Sequence, residues 1–89
     1  MANAKISGMD FGEALCALKN GRKVRRAGWN GKGMYIYLLE RHVLEVKSGP
    51  LTLEPCIVMF TAQGCDQPGW LASQPDMLSD DWELVVTNG

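Results

Sequence analysis

Arg25-Arg26-Ala27-Gly28-Trp29-Asn30-Gly31-Lys32-Gly33-Met34-Tyr35-Ile36-Tyr37 brings two arginines, a tryptophan on a glycine-flanked turn and two alternating tyrosines into one run. Asn-Gly between extended segments is a strong signal for a tight hairpin turn, because both residues tolerate positive φ. The run therefore predicts a hairpin with aromatic and cationic groups near its tip. Arginine forks onto phosphate or carboxylate, and tryptophan and tyrosine offer flat faces to a base or sugar. Those properties describe a binding surface and a small protein's core equally well.

N-terminal to this run, Asp10 followed by Glu13 predicts a capping-box helix start. Phe11, Ala14, Leu15 and Leu18 recur at helical spacing and form one apolar stripe. Asn20-Gly21 closes the helix behind Lys19, whose charge suits the negative end of the dipole. Residues 1–8 read as a flexible leader, and 23–26 as a short strand with Val24 inward. Past the turn, 34–39 returns as a strand with Met34, Ile36 and Leu38 on one face and Tyr35, Tyr37 and Leu39 on the other. Both faces are largely apolar, so one packs on the helix and the other meets a ligand or another subunit.

Further along, 43–46 fits an edge strand and 48–50 a turn. The continuous apolar run 56–61 reads as a central strand buried on both faces. Residues 62–64 turn it, and a loop through Pro68-Gly69 delivers Trp70. Ser73 as N-cap, Pro75 in the first turn and Asp76 three residues after the cap predict a short helix. A closing strand over 82–86 puts Trp82, Leu84 and Val86 on one face. The fold class is α+β, a small antiparallel sheet with one N-terminal helix and a short C-terminal helical turn, in a single domain over 1–89.

Eighty-nine residues carry one modest core. An apolar content of 46% is globular. No apolar run approaches the ~20 residues of a membrane span, and the first residues lack a secretory signal's apolar core. The expected location is the cytosol. Cys16, Cys56 and Cys65 are an odd number with no C-x-x-C pair, and Cys16 in a helix and Cys56 in an apolar strand suit reduced packing residues better than a disulfide framework. A single His42 without paired ligand spacing does not support a zinc site.

The net charge of −1 conceals a segregation. Residues 14–39 hold Lys19, Arg22, Lys23, Arg25, Arg26 and Lys32 but no acid. Residues 54–89 hold Glu54, Asp66, Asp76, Asp80, Asp81 and Glu83 but no base. Two accounts stand side by side. The halves neutralise each other across the fold or between subunits, or the basic half receives an anion while the acidic half meets hydroxyls or a base edge. Extended nucleic acid is disfavoured, since it goes with a clearly basic domain.

Catalytic patterns are missing. His42 sits in a polar segment without a partner, no serine lies in a nucleophile elbow, and the glycines around Trp29 do not open a helix after a strand. The reading is therefore of a non-enzyme. A small-molecule site fits better, with Trp29, Tyr35, Tyr37 and Trp70 bracketing a planar ring and Arg25 or Arg26 on a phosphate. Ser73, Gln74 and Asp76 meet hydroxyls at a helix start in that arrangement. Trp82, in an alternating strand, packs in the core, whereas Trp29 and Trp70, both in turns among small residues, suit packing and binding equally. Two other classes stay open. One is a small nucleic-acid-binding module built on the 25–37 hairpin, and the other is a structural interaction subunit with no ligand.

The ordered motifs Phe11-x-x-Ala14-Leu15-x-x-Leu18-x-x-Gly21, Val24-Arg25-Arg26-x-Gly28-Trp29-Asn30-Gly31-Lys32-x-Met34-Tyr35-Ile36, Ile57-Val58-Met59-x-Thr61-Ala62-x-Gly64, Trp70-Leu71-Ala72-Ser73-Gln74-x-Asp76-Met77-Leu78 and Asp80-Asp81-Trp82 carry a family likeness. The chain resembles the second family of Thoeris anti-defence proteins, small phage and prophage proteins once described as a domain of unknown function. The resemblance implies a sponge that binds glycocyclic ADP-ribose, the signal of Thoeris immunity, without cleaving it. It also implies cyclic di- or trinucleotide signals at separate sites in some members. Homotetramers with pockets between subunits and no cofactor are implied too. By motif match, Trp29, Asn30, Trp70, Ser73, Gln74 and Asp76 are the candidate signal-pocket residues.

Overall fold

The computed structural model describes residues 5–86. The expected leader over 1–8 lies partly outside the described residues. Within the described part, the Ile6 carbonyl accepts from the Leu84 amide at 2.8 Å.

The first element is helix α1, Phe11–Lys19. Its capping box is complete: the Asp10 carboxylate accepts from the Glu13 amide at 2.8 Å, and the Glu13 carboxylate accepts from the Asp10 amide at 2.9 Å. Asn20 caps the other end, its amide returning to the Cys16 and Ala17 carbonyls. Strands β1 (Val24–Arg26) and β2 (Tyr35–Leu39) follow, then β3 (His42–Val46) and β4 (Gly49–Leu53). The chain continues through β5 (Cys56–Phe60), β6 (Asp66–Pro68), helix α2 (Gln74–Leu78) and β7 (Trp82–Leu84).

Five strands form one antiparallel sheet in the order β6-β5-β2-β1-β7. The α+β class read from the sequence is the class of the structure. Register fixes the two faces. Val24 lies opposite Ile36, and Ile36 opposite Met59, placing all three under α1. There they meet Met9, Ala14, Leu18 and Trp82 in the core. On the reverse face Tyr35 stacks on Phe60 at 4.9 Å and 16° between planes, and the Lys23 ammonium sits 4.8 Å from the Tyr35 ring. Val58, facing the same way as Tyr37, is buried there. The apolar run of β5 thus buries Val58 on one face and Met59 on the other, as a central strand must.

Several expectations change. The 25–37 run does join two antiparallel strands, but through the loop 27–34 rather than a tight Asn30-Gly31 turn. Among the described residues no non-glycine has positive φ, and the left-handed position in this loop is Gly33, at 77°. Residues 48–50 do not stay a turn, because Gly49 already begins β4. The stretch before Trp70 contains the edge strand β6, and the closing strand stops at Leu84.

β3 and β4 form a separate hairpin that joins no other strand. Its apolar side chains remain uncovered, with Val43 55%, Leu44 41%, Val46 44% and Leu51 44% exposed.

Candidate functional site

The 27–34 loop is fastened to the far end of the chain. Asp81 accepts from the Ala27 amide through its backbone carbonyl at 2.9 Å and from the Gly28 amide through its carboxylate at 2.9 Å. Arg26, at the end of β1, donates from Nε to Asp81 at 2.9 Å and from Nη1 to Asp76 at 3.0 Å. The Asp76 Oδ1 that accepts from Arg26 also accepts from the Trp29 indole Nε1 at 3.2 Å. Its Oδ2 accepts from the Ser73 amide at 3.0 Å, while the Ser73 hydroxyl accepts from the Asp76 amide at 3.2 Å. The Trp82 indole donates to the Asp76 carbonyl at 2.9 Å. One residue of α2 therefore ties β1, the loop and β7 together.

The electrostatics follow from these contacts. Burial pushes the Asp76 carboxyl up, but the Ser73 amide, Arg26, the Trp29 indole and the Ser73 hydroxyl outweigh it and hold the acid below its ordinary value. At Asp81 the hydrogen bond from Arg26 dominates and, with the Gly28 amide, also holds the acid down. The Arg26 guanidinium is raised above its ordinary value by Asp81 first and Asp76 second. Arg25 donates from Nε to Glu83 at 2.8 Å across the β1–β7 pair. The charge segregation thus resolves, for Arg25 and Arg26, into neutralisation within one chain.

Two cavities flank this network. A groove of about 550 Å³ is lined by Met34, Met59, Gln63, Gln67 and Trp70 among others, none of them charged. A cleft of about 220 Å³ is lined by Arg25, Arg26, Trp29, Lys32, Met34 and Glu83 among others. Met34 belongs to both. Gly31 makes the close approach possible, since a Cβ there would strike the Met34 side chain and come within 3.2 Å of Ala62. Trp29 meets Trp70 edge to face at 6.2 Å, so the aromatic walls also touch.

The residues singled out from the sequence separate into groups. Arg25, Arg26 and Trp29 line the cleft, and Trp70 lines the groove. Ser73 and Asp76 are engaged in the cap of α2 and the loop network. Asn30 and Gln74 are exposed and line neither cavity. Tyr37 lies on the opposite sheet face, its hydroxyl donating to Asp66 at 2.9 Å. Among the described residues no group of three or more His, Cys, Asp or Glu is placed to hold a metal ion. No helix among them is long and apolar enough to cross a membrane.

The model of the Tad2-like family, the Thoeris anti-defense 2-like domain, matches residues 9–85. A Thoeris anti-defense 2 protein of Bacillus phage SP01 is 37% identical over 84 residues, covering 86% of this chain and 94% of the phage protein. The chain belongs to the Tad2-like family. The match runs from Met9, whose bridge to Trp82 closes the sheet edge, through β7. It therefore includes the Arg26–Asp76–Trp29 network and every residue lining the two cavities.

The lining contains residues that the sequence did not bring forward. Met34 and Met59 read as plain strand positions, and Gln63 and Gln67 as turn and loop. Lys32 did carry a signal, as a cation with no acid near it in sequence. Asp81 stood in the sequence as one acid of the base-free half, yet it holds both Arg26 and the loop.

Proposed function

We propose that this protein is a phage or prophage anti-defence factor that binds and sequesters a cyclic ADP-ribose-type immune signal, glycocyclic ADP-ribose, without degrading it. Membership in the Tad2-like family carries the reading. The adjoining groove and cleft support it, because they offer tryptophan faces and cations within one short span. Trp70 supplies a flat surface for the adenine, Trp29 backs that wall edge to face, and Arg25 supplies the guanidinium hydrogens not used by Glu83. Arg26, Ser73 and Asp76 hold the walls in place.

In this reading the protein acts in the bacterial host cytoplasm as a homo-oligomer, a tetramer by family likeness. Asn30, Tyr37 and Gln74 reach the ligand only where another protomer completes the site. The β3–β4 hairpin supports assembly: an isolated two-stranded hairpin is marginal in water and needs a third strand or a packed face. The protein is not an enzyme here, and sequestering a scarce messenger calls for nanomolar affinity, roughly −12 kcal/mol.

The test is to incubate the protein with glycocyclic ADP-ribose, remove the protein by filtration, then heat the retained fraction and analyse it by mass spectrometry. Depletion of the free signal followed by recovery of the intact molecule is expected. Recovery of a converted product, or no depletion, would overturn the reading.

A further inference from the structure

Met34 divides the site into two compartments of opposite chemistry. The 550 Å³ groove falls within the range of ligand pockets, about 300–1,000 Å³. Its floor is thioether and indole, and its polar side chains are neutral. The 220 Å³ cleft is below that range and is cationic. Within it Arg26 is neutralised by Asp76 and Asp81, and Arg25 is shared with Glu83. Lys32 is exposed and, among the described residues, makes no ion pair.

Gln63 and Gln67 stand at the groove's polar side. Gln67 is paired with Met59 in register, so both face the groove from adjacent strands. Gln63 sits on the turn closed by the Gly64 amide and the Thr61 carbonyl at 2.9 Å. Neither side-chain amide is engaged in a hydrogen bond with another described residue. A glutamine amide presents one donor and one acceptor edge side by side, the pattern that pairs with an adenine edge. A lysine ammonium is instead a point charge suited to phosphate.

We infer that the ligand lies across Met34 with its base in the neutral groove, read by Gln63 and Gln67, and its phosphates in the cleft, held by Lys32. This rests on the sequestration reading for the identity of the ligand but assigns specificity to residues outside its proposed contacts. A cyclic dinucleotide phosphate or ADP-ribose derivative satisfies both compartments, whereas a free nucleoside or a free pyrophosphate satisfies one each.

The experiment is a ¹H–¹⁵N NMR titration of the full chain with adenosine and, separately, with pyrophosphate, followed by calorimetry with glycocyclic ADP-ribose. Adenosine is expected to move the Gln63 and Gln67 side-chain amides and the Trp70 indole. Pyrophosphate is expected to move the Lys32 and Gly33 backbone amides and leave the glutamines still. Gln67→Ala should weaken glycocyclic ADP-ribose about tenfold with its salt dependence intact, and Lys32→Ala should weaken it while flattening the salt dependence. Adenosine that leaves both glutamines unmoved, or pyrophosphate that moves them equally, overturns the inference. These two titrations decide it whether or not glycocyclic ADP-ribose binds, while failure of the intact signal alone refutes only the sequestration reading.

Discussion

The indole nitrogen of Trp29 donates to the same Asp76 oxygen that receives the Arg26 guanidinium, at 3.2 and 3.0 Å. A loop tryptophan is thereby held by a helix residue far away in sequence. Replacing Asp76 with alanine removes the acceptor for three donors at once, in a side chain only 10% exposed. Arg26 keeps Asp81, so the loss falls below that for a fully stranded buried charge. We expect Asp76→Ala to cost about 3 kcal/mol by urea unfolding. Asp76→Asn, which retains one acceptor oxygen, should cost less.

Acid unfolding should follow from the same cluster. Asp76 and Asp81 titrate below their ordinary value when folded and at that value, about 3.9, when unfolded. The unfolded chain therefore binds more protons in between. Their contribution is complete above about pH 5 and drains away as pH falls through the depressed folded values. Arg26→Met removes the dominant cause at Asp81 and one cause at Asp76. Its stability should vary less between pH 5 and 2 than the wild type's, as measured by urea midpoints across that range.

Tyr37 gives a signal at the opposite end of the scale. Burial, then the hydrogen bond to Asp66, pushes its phenol up to about 12 from an ordinary 10.0. Its contribution to stability is present below pH 10 and lost as pH rises toward 12. The difference in 295 nm absorbance between wild type and Tyr37→Phe should show this late ionisation. Asp66→Asn should bring the midpoint down only part of the way, since burial remains.

Gly31 leaves no room for a side chain beside Met34. Gly31→Ala should cost about 1–2 kcal/mol through overpacking. Made in a Met34→Ala background, the same change should cost much less. Equal costs in the two backgrounds, by thermal unfolding, would show that the loop rather than Met34 absorbs the new methyl group.

The β3–β4 hairpin offers a test of assembly. Leu44 and Leu51 lie opposite each other and share one face of it. Leu44→Lys combined with Leu51→Lys should leave the far-ultraviolet spectrum of the main domain intact and lower the mass found by light scattering. An unchanged mass would place the assembly contact elsewhere.

Legibility in the sequence followed the range of the interaction. Both helices were readable because their caps are local: Asp10 with Glu13 and Ser73 with Asp76 sit three residues apart. β4 and β6 were not, since each contains a proline and little β-branched apolar surface, and each is recruited by a neighbouring strand. The Asn30-Gly31 signal misled: the connection runs over 27–34, is tethered at its start by Asp81 and takes its left-handed turn at Gly33. Arg25 and Arg26 could be placed in a basic run, but not assigned to Glu83, Asp76 and Asp81 without the sheet. Trp29 and Trp70 stood between packing and binding, and the structure has them touching the core while lining the cavities.

All three tryptophans of the sequence meet in a single triangle, with ring centroids 5.4, 6.2 and 6.2 Å apart and planes inclined by 78°, 63° and 85°. At such separations the indoles share excitation, so emission and near-ultraviolet circular dichroism originate from one spot instead of averaging over the molecule. That spot borders both cavities. The protein thus carries its own optical probe beside both cavities, with no label to perturb it.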